Sequence, residues 1–319
     1  MSWLRLLPPG ALKQPQLCLR GRGVIGRLAP RQGVQGGKSF FCDVHKTKKN
    51  GGGYRITFTT DGVTFRHVDS FSEIPAKAGD KVFMDILPLQ YTDEVVGLLR
   101  RGVEVYCLRR TTLISKKREE LKLTTKTAKN DVKALMAIED RWFRRVDENF
   151  LVLRRMIAAY RTQMKTHQQL VNRAKALSEL ERDILKPNIK TAEKQMEVMA
   201  AMIAEEAGKR YPAYDKLVGE LGIGGKPPAM EALAEIVVYV DGNKGFVKTA
   251  NYFGLFKAVR GRKKIYDGRL RQALQRLTAS VNNIPSTRLT AKLEKKTLWR
   301  VWKAVRETQG RLAIPAQQG

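Results

Sequence analysis

The sequence predicts an α/β unit on a mixed sheet, joined by long helices to a mainly helical, strongly basic C-terminal half. Three observations carry that prediction. Between residues 39 and 108, short apolar runs recur with strand period, separated by glycine-rich turns and one helix-spaced stretch. From 147 to 210 the apolar positions recur at intervals of three and four. From 256 to 319, sixteen basic groups stand against three acidic ones.

Residues 1–38 read as a disordered basic extension. Residues 1–42 carry seven basic groups and no acid, with four prolines and seven glycines. A transit peptide and a nucleic-acid-binding arm are the functional alternatives. The apolar stretches are too short, and too broken by Arg and Pro, for a secretory signal.

The first folded unit is expected over 39–146. Ser39-Phe40-Phe41-Cys42-Asp43-Val44 is an apolar run with the character of a buried strand, and Lys49-Asn50-Gly51-Gly52-Gly53 turns the chain. Tyr54–Thr59 alternates apolar and polar residues, Asp61-Gly62 signals a hairpin, and Val63–Val68 continues the alternation. Ser70–Ala76 is a short helical connection and Lys81–Ile86 an apolar strand. Tyr91–Arg101 has helical spacing through Val95, Leu98 and Leu99, and Val103–Leu108 is another strand. Helical segments follow over Thr112–Leu123 and Ala128–Val146. The order is β-β-β-α-β-α-β-α. A meander followed by right-handed crossovers is the connectivity of the RNase H-like fold, RuvC-type resolvases included.

Two acids are conspicuous in that topology. Asp43 and Asp85 each sit among apolar strand residues, where a lone carboxylate costs several kcal/mol unless paired, hydrogen-bonded or bound to a cation. In this connectivity the first and fourth strands are neighbours, so the two carboxylates converge as ligands for Mg²⁺ or Mn²⁺. The plainer reading places each near a strand end, in solvent. Asp131, near the start of the next helix, is the expected third group, although an N-terminal Asp also caps helices and Thr127 or Asn130 can share that task.

At these residues the chain resembles a known family. Asp-Val-His-Lys at 43–46, the strand ending in an acid at 85, Gly-Val-Glu-Val-Tyr at 102–106 and Lys-Thr-Ala-Lys-Asn-Asp at 126–131 resemble the DEDD transposases of the insertion-sequence one-hundred-ten family. The resemblance implies that Asp43, Asp85 and Asp131 are catalytic metal ligands. It departs at Ala128, where the family carries a fourth acid.

Phe150, Leu153, Ile157, Tyr160 and Met164 keep helical spacing, as do Ile189, Ala192, Met196, Met199 and Ile203; Leu170, Leu177, Leu180 and Ile184 continue the stripe between them. The expectation for 147–210 is two long antiparallel helices, or a coiled-coil hairpin, turning near Lys186-Pro187-Asn188. Its role is a dimerisation arm or an internal hairpin; the resemblance implies the former.

Residues 211–319 are the expected DNA-binding half. Leu221-Gly222-Ile223-Gly224-Gly225 before the apolar helix Met230–Tyr239 resembles a helix-hairpin-helix, in which backbone N–H groups meet a phosphate. An ordinary helix-joining turn is the alternative. Between 256 and 276 stand Lys257, Arg260, Arg262, Lys263, Lys264, Arg269, Arg271 and Arg276 against Asp267 alone, which reads as a phosphate-contacting surface. Trp299 and Trp302, at i and i+3, read as members of a small core, with stacking on bases as the alternative. Asn251-Tyr252-Phe253-Gly254-Leu255 and the following basic loop resemble the second domain of the same transposases. There the family carries a serine nucleophile, but no serine lies between Gly254 and Ala279, and Tyr266 is the only hydroxyl in the loop.

The charge agrees with a polyanionic partner. Sixty Lys and Arg oppose 31 Asp and Glu, a net charge of +29. No apolar run is long enough to span a bilayer. Cys18, Cys42 and Cys107, with His45, His67 and His167, show neither a disulfide framework nor zinc spacing, so a reduced, cytoplasmic, nucleoid-associated protein is expected. The resemblance implies an Mg²⁺-dependent DNA transposase or recombinase, homo-oligomeric through the coiled coil and partnered by DNA and a structured guide RNA. A non-catalytic nucleic-acid-binding protein and a RuvC-like metal nuclease are the alternatives.

Overall fold

Alternation along the first strand sets up two apolar layers, because successive side chains of a strand face opposite ways. In the computed structural model, which describes residues 37–46, 53–256 and 266–312, β1 is Ser39–Lys46. It is followed by β2 (Tyr54–Thr59), β3 (Arg66–Val68), β4 (Lys81–Met84), α1 (Thr92–Arg100) and β5 (Glu104–Leu108). Then come α2 (Thr112–Glu120), α3 (Ala128–Met136) and β6 (Phe143–Val146). The six strands form one mixed sheet in the order β3-β2-β1-β4-β5-β6. β1 is antiparallel to β2 and parallel to β4, and β5 is parallel to β4.

Phe40, Cys42 and Val44 face one side of the sheet with Val82, Met84 and Val105, beneath α1 and the next helix, α4 (Glu148–Lys175). Phe41 and Phe83 face the other side, stacked with centroids 5.0 Å apart, beneath Ile114 of α2 and Val132 and Leu135 of α3. Each central strand is buried on both faces, which is why these strands read as continuous apolar runs.

Two expectations are corrected in this unit. The helix expected over Ala128–Val146 ends at Met136, and β6 follows, antiparallel to β5 with Phe143 opposite Leu108 and Val146 opposite Val105. No glycine or proline marks that boundary; pairing with the free edge of β5 decides it. The third strand is only Arg66–Val68, because Asp61 draws Val63 and Thr64 into the turn, its Oδ1 accepting both N–H groups at 2.8 Å.

Beyond the sheet lie α5 (Glu179–Arg210), α6 (Tyr214–Leu221), α7 (Pro227–Tyr239), α8 (Phe246–Tyr252), α9 (Gly268–Asn282) and α10 (Ala291–Leu312). The hairpin of α4 and α5 turns at Ala176–Ser178 and not at Pro187, which lies exposed inside α5. A capping box sets the turn: Glu181 Oε2 accepts from the Ser178 N–H and hydroxyl at 3.0 and 2.7 Å. The base of the hairpin packs internally, with Ile157 and Tyr160 of α4 and Ala200, Ile203 and Ala207 of α5 buried. The outer half leaves the expected stripe, with Leu180 78% and Ile184 70% exposed.

At the centre of the helical half runs α7, buried from Ala229 to Val238 except for Met230 and carrying two buried carboxylates, Glu231 and Glu235. Arg276 of α9 stands between them, its Nη2 3.0 Å from Glu231 and 3.3 Å from Glu235, and Arg161 of α4 pairs with Glu235. Burial pushes Glu231 up to about 7 against the pull of Arg276 and Arg161. Removing one partner of such a cluster strands a buried charge and costs about 3–5 kcal/mol. Arg276→Met is therefore expected to lower unfolding free energy by about that amount in urea titrations. Glu231, raised by burial, can take up a proton in acid, so the loss should be larger at about pH 8 than at about pH 5.

Candidate functional site

The sheet places Asp43 and Asp85 together by register alone. Phe41 lies opposite Phe83 on the parallel pair β1 and β4, and two residues on along each strand the side chains return to the same face. The Asp85 N–H donates to the Cys42 carbonyl at 3.4 Å, carrying the pairing one step past β4. The Val44 N–H donates to Asp85 Oδ1 at 3.1 Å, and Asp43 Oδ2 lies 3.1 Å from His45 Nδ1.

Asp131 arrives from the first turn of α3, which packs over β1. Thr127 caps that helix, accepting the Asn130 N–H at 3.2 Å, so Asp131 is free of the capping task. Its Oδ1 instead lies 3.0 Å from Arg118 Nε of α2, without the alignment of a hydrogen bond. Asp43, Asp85 and Asp131 line one cavity of about 870 Å³ at the C-terminal ends of β1 and β4.

The electrostatics of this cavity are divided. Burial pushes the carboxyls of Asp43 and Asp85 above the ordinary range; the Asp131 charge adds to the shift of Asp43, and the Asp43 charge to that of Asp85. Asp131 is also raised by burial, against the opposing charge of Arg118. Around them stand His45, Lys46, Arg118 and Lys126. The donor chemistry, two carboxyls each with one oxygen held by a neighbour, the Val44 N–H for Asp85 and His45 for Asp43, fits a hard divalent cation at the Asp43–Asp85 pair. Among the described residues no group of three His, Cys, Asp or Glu side chains converges as a ligand set. Two protein ligands are therefore the fit, with Asp131 engaged by Arg118.

The two raised carboxyls have a consequence for stability. Each binds its proton more tightly in the folded protein than in the unfolded chain. Stability is therefore undiminished below the ordinary carboxylate range, falls as pH rises through the two folded values, and stays lower above them. Asp85→Asn keeps an acceptor for the Val44 N–H and removes one charge. In chelator at about pH 7 the variant is expected to melt higher than the wild type, by about 2–4 °C for each kcal/mol relieved. At about pH 4 the two should melt together. A calorimetric scan at both pH values checks this.

Lys257, Arg260, Arg262, Lys263 and Lys264 lie outside the described residues. Gly222 closes α6 with a left-handed φ of 64°, and Gly222 and Gly224 are exposed. The next helix begins with Pro227 and Pro228, which have no N–H, and the Ala229 and Met230 N–H groups both donate to the Lys226 carbonyl. The N-terminus of α7 thus lacks the free donors that a helix-hairpin-helix offers a phosphate.

Arg269 is exposed. Arg271 is taken up internally: its Nε lies 2.7 Å from Glu294, and Nη1 donates to the Gly254 carbonyl at 3.0 Å. Trp302 is buried and donates to the Lys244 carbonyl at 2.8 Å, whereas Trp299 is 44% exposed, a correction to its expected place in a core. Trp299 lies at the edge of the buried stripe of Leu298, Val301, Trp302 and Val305, and its ring reaches solvent beside Lys303.

Sequence reasoning gave His45 no site role and missed Arg118. For His45 a signal exists, since Asp-x-His on a strand puts both side chains on one face. For Arg118 there is none, because α2 and α3 meet only in the folded chain.

A mixed α/β protein with an acidic, cation-rimmed cavity at the ends of its parallel strands is the class that fold and site define. No family model matches the chain and no curated protein matches it, so its function is read from its own residues.

Proposed function

We propose that the protein is an RNase H-like, nucleic-acid-processing enzyme, a DNA transposase or recombinase that uses Mg²⁺ or Mn²⁺ at Asp43 and Asp85. One observation carries the reading: three aspartates from β1, the end of β4 and α3 line a single cavity. The strand order, with a meander on β1 and parallel partners beyond it, supports the RNase H-like assignment. A bound divalent cation supplies Lewis-acid charge to a phosphodiester oxygen. Lys46 and Lys126 attract the phosphate, His45 orients Asp43, and Arg118 holds Asp131 at the wall. The exposed Leu180 and Ile184 on the outer hairpin suit a homo-oligomer contact. The guide RNA rests on the family resemblance alone.

A second reading, a non-catalytic nucleic-acid-binding protein, is favoured by one specific feature. Ala128, at the position of the family's fourth acid, lines the cavity and offers no ligand, while Arg118 engages Asp131. The deciding experiment incubates the purified protein with labelled supercoiled DNA and Mg²⁺, then quenches with detergent. Free nicked product that disappears in Asp43→Asn supports the enzyme. No product in any condition leaves the binding protein. Tyr266 lines a different cavity from the aspartates, so label retained on the protein and lost in Tyr266→Phe would overturn the metal-centred reading.

A further inference from the structure

Among the described residues most half-buried arginines face a carboxylate: Arg118 faces Asp131, Arg161 Glu235, Arg210 Glu206, Arg271 Glu294, and Arg276 both Glu231 and Glu235. Half-buried Arg144, Arg154 and Arg300 do not, nor does the more exposed Arg109; Arg300 donates to the Glu220 carbonyl. Arg109 Nε donates to the Phe143 carbonyl at 3.1 Å, Arg144 Nη2 to the Val238 carbonyl at 2.6 Å, and Arg154 Nη2 to the Leu87 carbonyl at 2.7 Å. A carbonyl orients a guanidinium but leaves its charge uncancelled. Arg109, Arg144 and Arg154 line one cavity of about 520 Å³ between the sheet and the helical half, which shares no residue with the aspartate cavity although Leu87 and Arg110 lie close in sequence to Asp85 and Thr111 of that cavity. Arg154 Nη1 is buried and has no hydrogen-bond partner.

The same cavity is also lined by Arg110, Lys244 and Lys248, and Asp241 is its one acid, already 3.2 Å from Lys244. Burial, and then the nearby Arg144 charge, lower the pKa of Arg109, while the Asp241 charge acts the other way. A cluster of like charges costs free energy in the empty protein and is relieved by a bound anion. The walls are aromatic as well. Arg144 lies 4.0 Å from the Phe150 centroid and 5.1 Å from that of Tyr239, while Trp142 and Tyr252 also line the cavity, Tyr252 with 39% of its surface exposed. Tyr252, Arg109 and Arg110 also line an adjoining cavity of about 560 Å³ that leads to Arg269 at the start of α9. Guanidinium groups beside an open aromatic ring, continued in a second cationic cavity, match the alternation of phosphate and base along a strand.

We propose that this cavity is a second nucleic-acid site, which takes an unpaired nucleotide of a single strand, its phosphate among Arg109, Arg144 and Arg154 and its base against Tyr252. It shares with the transposase reading only the class of partner. The ligand is a strand and not a free nucleotide because the cationic lining runs on past the volume of the first cavity. An unpaired base is required because a duplex keeps its base faces stacked.

The test titrates fluorescent oligothymidylate of about ten nucleotides into the full-length protein, in chelator so that no metal bridges the aspartate cavity. Wild type is expected to bind it, and Tyr252→Ala and Lys248→Glu, both exposed in the lining, should each weaken binding about tenfold or more. Melting temperatures close to wild type would show that these variants fold. A strand of the same length without bases should bind wild type no better than oligothymidylate binds Tyr252→Ala. Asp43→Asn should bind as wild type does, whatever its effect on cleavage, which separates this site from the proposed active site. Unchanged affinity in both lining variants overturns the proposal. Thymidine monophosphate binding as tightly as the oligonucleotide would also overturn it, in favour of a free-nucleotide site.

Discussion

Asp43→Asn is expected to reduce Mg²⁺-dependent strand cleavage about 10³-fold while leaving DNA affinity in chelator nearly unchanged. The size follows from what the carboxylate would hold in the proposed site. A divalent cation contributes several kcal/mol of transition-state charge stabilisation, and each 1.4 kcal/mol is about tenfold in rate. Asp43 lies beside Asp85 in the buried end of the parallel pair, and burial has raised both carboxyls. Losing one of the two ligands should therefore remove most of the cation affinity. Asparagine keeps the shape and one acceptor for His45, which lies 3.1 Å away, so the strand end should stay folded. The matching control is Asp131→Asn. Arg118 already engages that carboxylate, so its loss should cost less cleavage than the loss of Asp43. Equal activity of wild type and Asp43→Asn in a nicking assay would remove the metal site from the mechanism.

DNA affinity is expected to fall about 10³-fold or more between about 50 and 200 mM salt. That is the counterion-release effect for roughly six phosphate contacts, and a net charge of +29 supplies many more cations than six. The structure narrows which of them can act. Arg271 and Arg276 are paired internally with Glu294, Glu231 and Glu235, so they stabilise helices and leave phosphates to others. On α10, Lys292, Lys296, Trp299 and Lys303 recur at intervals of four, three and four and are all exposed. That stripe is basic with one aromatic, the pattern that meets a backbone and stacks a base. Replacing Lys296 and Lys303 by Ala should lower the salt slope by about two. Replacing Arg271 by Ala should instead lower the melting temperature. Affinity measured by filter binding across the salt range, with melting curves for each variant, separates the two effects.

The central strands were legible in the chain because each is apolar on both faces, and Phe40–Val44 and Val82–Met84 needed no further context. The candidate pair was legible for the same reason. Asp43 and Asp85 stand out as charges inside apolar runs, and the topology expected from the meander makes their strands neighbours, as they are in the sheet. Helical periodicity likewise announced α4 and α5. The charge imbalance of 256–319 was equally plain in the chain.

Other features depended on contacts between distant segments, which leave no local mark. β6 exists because β5 offers an unpaired edge, although Phe143-Arg144-Arg145-Val146 continues a helical stretch. The hairpin turns at Ser178, where a capping box outweighs the proline at 187; both signals are local, and only packing chooses between them. Whether an arginine meets DNA or a carboxylate cannot be read from a basic run: Arg269 and Arg271 are two residues apart, one exposed and one paired with Glu294. Arg109, just past β5, meets Arg144 of β6 through the pairing of those strands, and the packing of α4 against the sheet adds Arg154 to the same cavity. Backbone periodicity and burial are properties of neighbouring residues, so sequence determined them. Charge pairing and cavity shape depend on which distant elements meet, and the tertiary structure decided those.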